Sequence, residues 1–330
     1  MNAIVKRGIL LFAAVLCIGS AALAAEVTIQ IGYENHPGEP IDRGCNEWKR
    51  LVEEASNGEI KIELYPSSQL GSKNDIIDQM LAGDSVITIA DGAFYAERGV
   101  PDFSILFAPY LFTSWDDCWT LIASDWYKEQ SKKLEAKGLK LLTSNWVYGD
   151  RHTLTTKPVR KVEDLKGMKV RVPNNAMQIA GFAVLGASPT PMPLGEVYTA
   201  LQQGVIDGLE NPIPVLYNGK FQEVAKYLTL DGHVMNFTTW LCGTAFFETL
   251  TPEQQKILME CGDKAGIFNN DIVFKATDEL LAKFKSEGVE IIEVDIEEFK
   301  KASQPLYQDP KLTAKWTPGL YETVTKAMGK

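Results

Sequence analysis

Histidine and patterned cysteine are scarce in this 330-residue sequence: it holds three histidines and five cysteines, with no C-x-x-C pair. None of His36, His152 and His233 is spaced with a cysteine or another histidine as zinc sites require, so no metal site is expected. Cys45, Cys118, Cys242 and Cys261 lie far apart, which excludes a dense disulfide framework and leaves a single bridge open. Lysine and arginine form no cluster, and with a net charge of -10 this argues against nucleic acid and anionic membrane surfaces. No G-x-S-x-G elbow, phosphate loop or G-x-G-x-x-G turn occurs, so the common local signatures of hydrolases, nucleotide enzymes and dehydrogenases are missing. Beyond the first 25 residues no stretch approaches 18 uncharged apolar residues, which excludes a later spanning helix.

What is present begins with a leader. Lys6 and Arg7 precede the apolar run from Gly8 to Ile18, and Ala22-Leu23-Ala24 follows, the pattern of a secretory signal peptide over residues 1–24 cleaved near Ala24. Cys17 follows a bulky leucine and is a poor lipid-attachment site. Without Lys6 and Arg7 the chain keeps 31 basic against 43 acidic side chains, a charge of about -12. Any anionic ligand must then be held by a local cation.

Val27 to Gly32 alternates as a strand, and Trp48, Leu51, Val52 and Ala55 recur at helical spacing over residues 41–56. Alternation at Ile60, Ile62 and Leu64, a helix over 75–81 and a strand over 86–90 complete a βαβαβ rhythm, which implies a mostly parallel sheet with ligands at the carboxyl ends of its strands. A helix over 115–136 and a strand over 139–144 lead towards a second lobe near residue 148. There the rhythm restarts, with a strand through Met168, Val170 and Val172, helices over 176–185 and 197–203, helical segments past 252, a strand over 289–294 and a helical region reaching Met328. The expected fold is α/β: a two-lobe hinged binding protein with a helical C-terminal section. Lobe I takes residues 25–148 and about 236–275, and lobe II takes 149–235 and about 276–330.

Lys166-Gly167-Met168-Lys169-Val170-Arg171-Val172-Pro173 places an arginine near a strand end. Pattern alone allows a solvated side chain or a carboxylate clamp, since a guanidinium presents two parallel N–H donors to one carboxylate. Three strings carry more: GASPTPMPLGEVYTALQQGVIDGLENP from Gly186 to Pro212, LKGMKVRVPN before it, and IELYPSSQLGS from Ile62 to Ser72. With them the chain resembles the solute-binding subunits of tripartite ATP-independent periplasmic (TRAP) transporters, of the DctP family, over its whole length after the leader.

The resemblance implies a periplasmic monomer, without cofactor or catalytic residue, that closes on a small organic acid and delivers it to a membrane permease driven by an ion gradient. It also implies that Arg171 bridges the ligand carboxylate, that Arg151 is a second arginine near the ligand, and that Asn211 bonds the carboxylate or a neighbouring oxygen. Glu210 is expected to orient the arginines. Asp91 and Glu34 are candidate acceptors for ligand hydroxyls, or else capping and turn carboxylates. Tyr148 and Trp240, beside the expected lobe crossings, are candidate aromatic contacts. Leu194 stands where the sialic-acid branch has an aromatic, which counts against sialic acid. A sensor module and an exported enzyme are the competing readings.

Overall fold

The computed structural model describes residues 27–330, so the expected leader lies outside the described residues. The chain opens with β1 (Val27–Gly32), α1 (Pro40–Ala55), β2 (Ile60–Tyr65), α2 (Lys73–Ala82), β3 (Val86–Ala90) and α3 (Gly92–Ala96). β1 lies parallel between β2 and β3, with Ile29 opposite Ile62 and Gln30 opposite Val86. α2 starts at a capping box, where Ser72 and Asp75 exchange side-chain and backbone hydrogen bonds, and stops at Gly83 in the left-handed region. The single helix expected over 115–136 is two, α4 (Trp115–Ala123) and α5 (Asp125–Glu135): Ser124, extended at φ -69° and ψ 159°, ends the first and caps the second through Tyr127 N.

β4 (Leu139–Thr155) runs far past the expected residue 144 and leads to β5 (Lys169–Val172), α6 (Ala176–Val184), β6 (Ser188–Pro191), α7 (Val197–Gln202), β7 (Gly208–Pro212) and α8 (Ile213–Asn218). β8 (Tyr227–Gly243) returns antiparallel to β4 and is followed by α9 (Thr244–Phe247), α10 (Pro252–Ser286), β9 (Glu290–Ile292), α11 (Ile296–Ser303), α12 (Pro310–Thr313) and α13 (Leu320–Ala327).

The strand order is β2-β1-β3-β8-β4-β7-β5-β6, with β9 beside β8. Two parallel trios therefore flank one antiparallel ribbon, each of whose strands is 17 residues long. The ribbon ladder slips at four places between Leu141 and Thr153, which bends and twists it where it passes between the trios. One slip includes Gly149, at φ 127°, where a Cβ would sit 2.9 Å from Pro212 Cβ.

The 35 residues of α10 make a helix about 52 Å long, begun by a capping box between Thr251 and Gln254, that packs on α1, β4 and α8. Between α10, α1 and the ribbon lie Trp48, Trp146 and Trp240, all fully buried, with ring centroids 5.2 to 6.0 Å apart. Trp48 donates to the Leu258 carbonyl and Trp146 to that of Gly262, each at 3.0 Å. Close approach here depends on small residues, because a Cβ on Gly44 would lie 2.5 Å from the Trp146 ring.

The C-terminal region divides differently from the expected boundary. α11 packs beside α6 in the second half, but α13 packs on α4 and α5. Trp316, Leu320 and Val324 share one core with Phe103, Leu121 and Tyr127, and Thr317 donates from its backbone and hydroxyl to Asp102 at 2.8 and 2.7 Å. Residues 316–328 thus pack with the first half, while residues 304–308 also meet α6 of the second. The four cysteines of the described residues are free and buried, so the bridge left open above is not formed. No helix among the described residues is long and apolar enough to cross a membrane.

Glycine to alanine within a helix ordinarily gains stability. Gly44→Ala should instead lose about 1–3 kcal/mol to overpacking against Trp146. Gly195→Ala, with open space around the added methyl, should stay within about 0.5 kcal/mol of wild type. Urea unfolding of both variants checks this, and a Gly44→Ala protein as stable as wild type would contradict the close-packed interface.

Candidate functional site

The carboxyl ends of both trios face one another across the middle of the ribbon. Glu34 follows β1, Asp91 follows β3, Arg171 sits near the end of β5, Asn211 near the end of β7, and the ribbon contributes Tyr148 and Arg151. These six side chains line one cavity. Lys73, Phe94, Gln178, Leu194, Asn236 and Thr238 complete most of its wall. Trp240 is not among them: it lies in the tryptophan core under α1 and α10, fully buried, which corrects its expected place beside a ligand.

Arg171 is 2% exposed, which removes the solvated-surface alternative. Its Nε and Nη2 both donate to the Met192 carbonyl, at 3.0 and 2.8 Å. That spends one edge of the guanidinium and leaves the Nη1–Nη2 edge for a carboxylate. Among the described residues Arg171 forms no ion pair, in contrast to Arg151. Burial lowers Arg171 to about 10, so it remains cationic at neutral pH.

Arg151 is locked. Its Nε and Nη2 grip the Glu210 carboxylate, with Nη2 to Oε1 at 2.7 Å, while Nη1 donates to Asn236 Oδ1 at 3.1 Å. Glu210 Oε2 also meets His233 Nε2 at 3.1 Å, and His233 Nδ1 meets Asp231 Oδ2 at 3.1 Å. Asp231 accepts in turn from the backbone and hydroxyl of Thr153. Burial pushes the Glu210 carboxyl upward, but Arg151 and His233 outweigh it and hold it at about 2. Burial likewise disfavours the imidazolium, yet Asp231 and Glu210 raise His233 to about 9. Arg151, Glu210, His233 and Asp231 therefore form a charge-balanced buried chain that reaches the cavity wall at Arg151.

The first half supplies a second balanced pair, Lys73 Nζ to Glu34 Oε2 at 3.2 Å, with the ammonium 4.4 Å from the Phe94 ring centroid. Asp91 caps α3 by accepting from Ala93 N at 3.0 Å, and burial raises its pKa against the pull of Lys73 and Arg151. Gln178 Nε2 is buried without a hydrogen-bond partner. Among the cavity residues that sequence reasoning missed, Lys73 had a signal, since it directly follows the Ile62–Ser72 string. Gln178, Asn236 and Thr238 had none. A wall with one uncompensated cation and many neutral or balanced polar groups can hold a small hydroxylated monoanion.

Residues 31–312 match the DctP family, described as bacterial extracellular solute-binding protein, family 7. A TRAP periplasmic solute-binding protein of Ochrobacterium anthropi, solved with bound L-fuconate, is 46% identical, with a TM-score of 0.89 over 92% of this chain and 100% of that one. Another from Actinobacillus succinogenes, solved with bound L-galactonate, is 40% identical, with a TM-score of 0.88 over 92% of this chain and 99% of that one. The sialic acid-binding periplasmic protein SiaP of Vibrio cholerae is 32% identical over 90% of this chain and 92% of its own.

A histidine whose folded pKa is raised stabilises the fold fully below its ordinary value of 6.5 and loses that contribution as pH rises through about 9. Wild type should therefore lose on the order of 3 kcal/mol from His233 across this window, and His233→Gln should lose less. Glu39, raised to about 8 by burial, contributes to both proteins and cancels in the difference. Urea unfolding at pH 6.5 and 9 measures it, and equal losses in the two proteins would mean that His233 is neutral in the folded state.

Proposed function

The chain belongs to the bacterial extracellular solute-binding proteins of family 7 and is the solute-binding component of a TRAP transporter; from that premise we propose that it captures a monocarboxylate sugar acid of fuconate or galactonate size. The observation that carries this reading is Arg171, a buried guanidinium with one edge committed to a backbone carbonyl and the other without a carboxylate of its own. A ligand carboxylate on that edge would supply the missing charge, with Asn211 beside it and its hydroxyls meeting Tyr148, Asp91 and Glu34 in the same cavity. The 46% and 40% identity to proteins solved with L-fuconate and L-galactonate supports an aldonate. Leu194 on the cavity wall supports the exclusion of sialic acid.

In this reading the protein acts in the periplasm as a monomer, catalyses nothing, and passes the acid to the membrane permease when its two halves separate about the ribbon. Lobe I comprises the β2-β1-β3 trio with the first half of the ribbon, and lobe II the β7-β5-β6 trio with the second.

Titration calorimetry with L-fuconate, L-galactonate, D-erythronate, sialic acid and succinate should give one site per chain, tightest for the C6 aldonates. Arg171→Lys keeps a charge but cannot present two parallel N–H bonds to one carboxylate. At roughly 1.5–3 kcal/mol for each charge-assisted bond, it should cost about one to two powers of ten in affinity. Arg171→Ala should cost more. Affinity within about twofold of wild type, with an unaltered melting temperature, would remove Arg171 as the clamp.

A further inference from the structure

We propose that Glu34 makes this cavity reject dicarboxylates, by neutralising Lys73 at the wall supplied by the first half; the inference rests on the sugar-acid reading above. Lys73 is the first residue of α2, where the helix dipole disfavours a cation. It is nonetheless kept there, with its side chain only 12% exposed, against Glu34 at 3.2 Å and over Phe94. Arg171, from the second half, and Lys73 line the same cavity, so the site holds two cations able to meet the two ends of a diacid.

Only one of them is available. Glu34, with its own side chain 13% exposed, offsets Lys73 through one carboxylate oxygen and lines the same cavity. A ligand whose far end is a hydroxymethyl group can accept from Lys73 and donate to Glu34. One whose far end is a second carboxylate meets a cation already paired and an anion beside it, and like charges brought together out of water are strongly unfavourable. Asp91 adds a further carboxyl to the same wall. Glu34 thereby sets specificity by repulsion.

L-galactonate and galactarate test this, since they differ only in a terminal hydroxymethyl or carboxylate. Calorimetry should show wild type preferring galactonate by about tenfold or more. Glu34→Gln keeps the shape and frees Lys73, and should move the affinity ratio towards galactarate by about tenfold. Lys73→Met leaves Glu34 as a lone anion and should move the ratio the other way, while the double variant should lack the gain of Glu34→Gln. Melting temperatures without ligand establish folding. If Glu34→Gln does not fold, Lys73→Met decides. A ratio within about twofold of wild type in the deciding variant, or a wild type that binds galactarate as tightly as galactonate, overturns the inference and leaves the sugar-acid reading standing. A wild type that binds neither acid overturns the inference, and one that binds none of the sugar acids, L-fuconate included, overturns both.

Discussion

A guanidinium held out of water without a carboxylate of its own weakens the fold that contains it, and this unmet charge on Arg171 is what the rest of the site is arranged around. The Met192 carbonyl holds two of its nitrogens in place but brings no negative charge. Every other cation close to the cavity is already spoken for: Arg151 and His233 by Glu210 and Asp231, Lys73 by Glu34. Satisfying those groups internally confines the attraction for an anion to a single edge of a single side chain. A protein of net charge -10 can select an anion in this way, because the nearest charge dominates where water is excluded.

The ribbon of β4 and β8 gives that charge its mechanical setting. Tyr148, Arg151, Asn236 and Thr238 come from the middle of its two strands, between trios that contribute Glu34 and Asp91 on one side and Arg171 and Asn211 on the other. The cavity therefore coincides with the stretch where the ladder slips. Glu97 on the first half already accepts from Ala176 N on the second at 2.7 Å, so contacts between halves extend beyond the cavity.

The first parallel trio was legible because period-two apolar runs at Val27–Gly32 and around Ile60 leave few alternatives once helices separate them; of the second only β5 was, since β6 and β7 carry prolines and no apolar alternation. The ribbon was not. Gly149-Asp150 in β4 and Asp231-Gly232 in β8 read as turns in isolation, yet they sit where the ladder slips or bends, a feature only the partner strand reveals. At the site, Arg171 and Asn211 were legible from the long strings that contain them. Gln178, Asn236 and Thr238 look like any surface polar residue until the second half is in place. Trp240 was expected at the cavity from its closeness to the crossing, but two residues beyond Thr238 the strand has already passed under α1 and α10. The packing of Trp316, Leu320 and Val324 was not legible either, because Phe103, Leu121 and Tyr127, which share their core, lie some 200 residues earlier in the chain.

That last packing has a consequence for how the protein is made. The first half contains residues synthesised first, yet its core cannot close until Trp316 to Met328 arrive, since these side chains share one core with Phe103, Leu121 and Tyr127. During synthesis the early strands must wait with an open flank, and contacts of such long sequence separation fold slowly. The end of the chain is therefore a lock for its beginning: the earliest strands reach their final packing only when the last helix is in place.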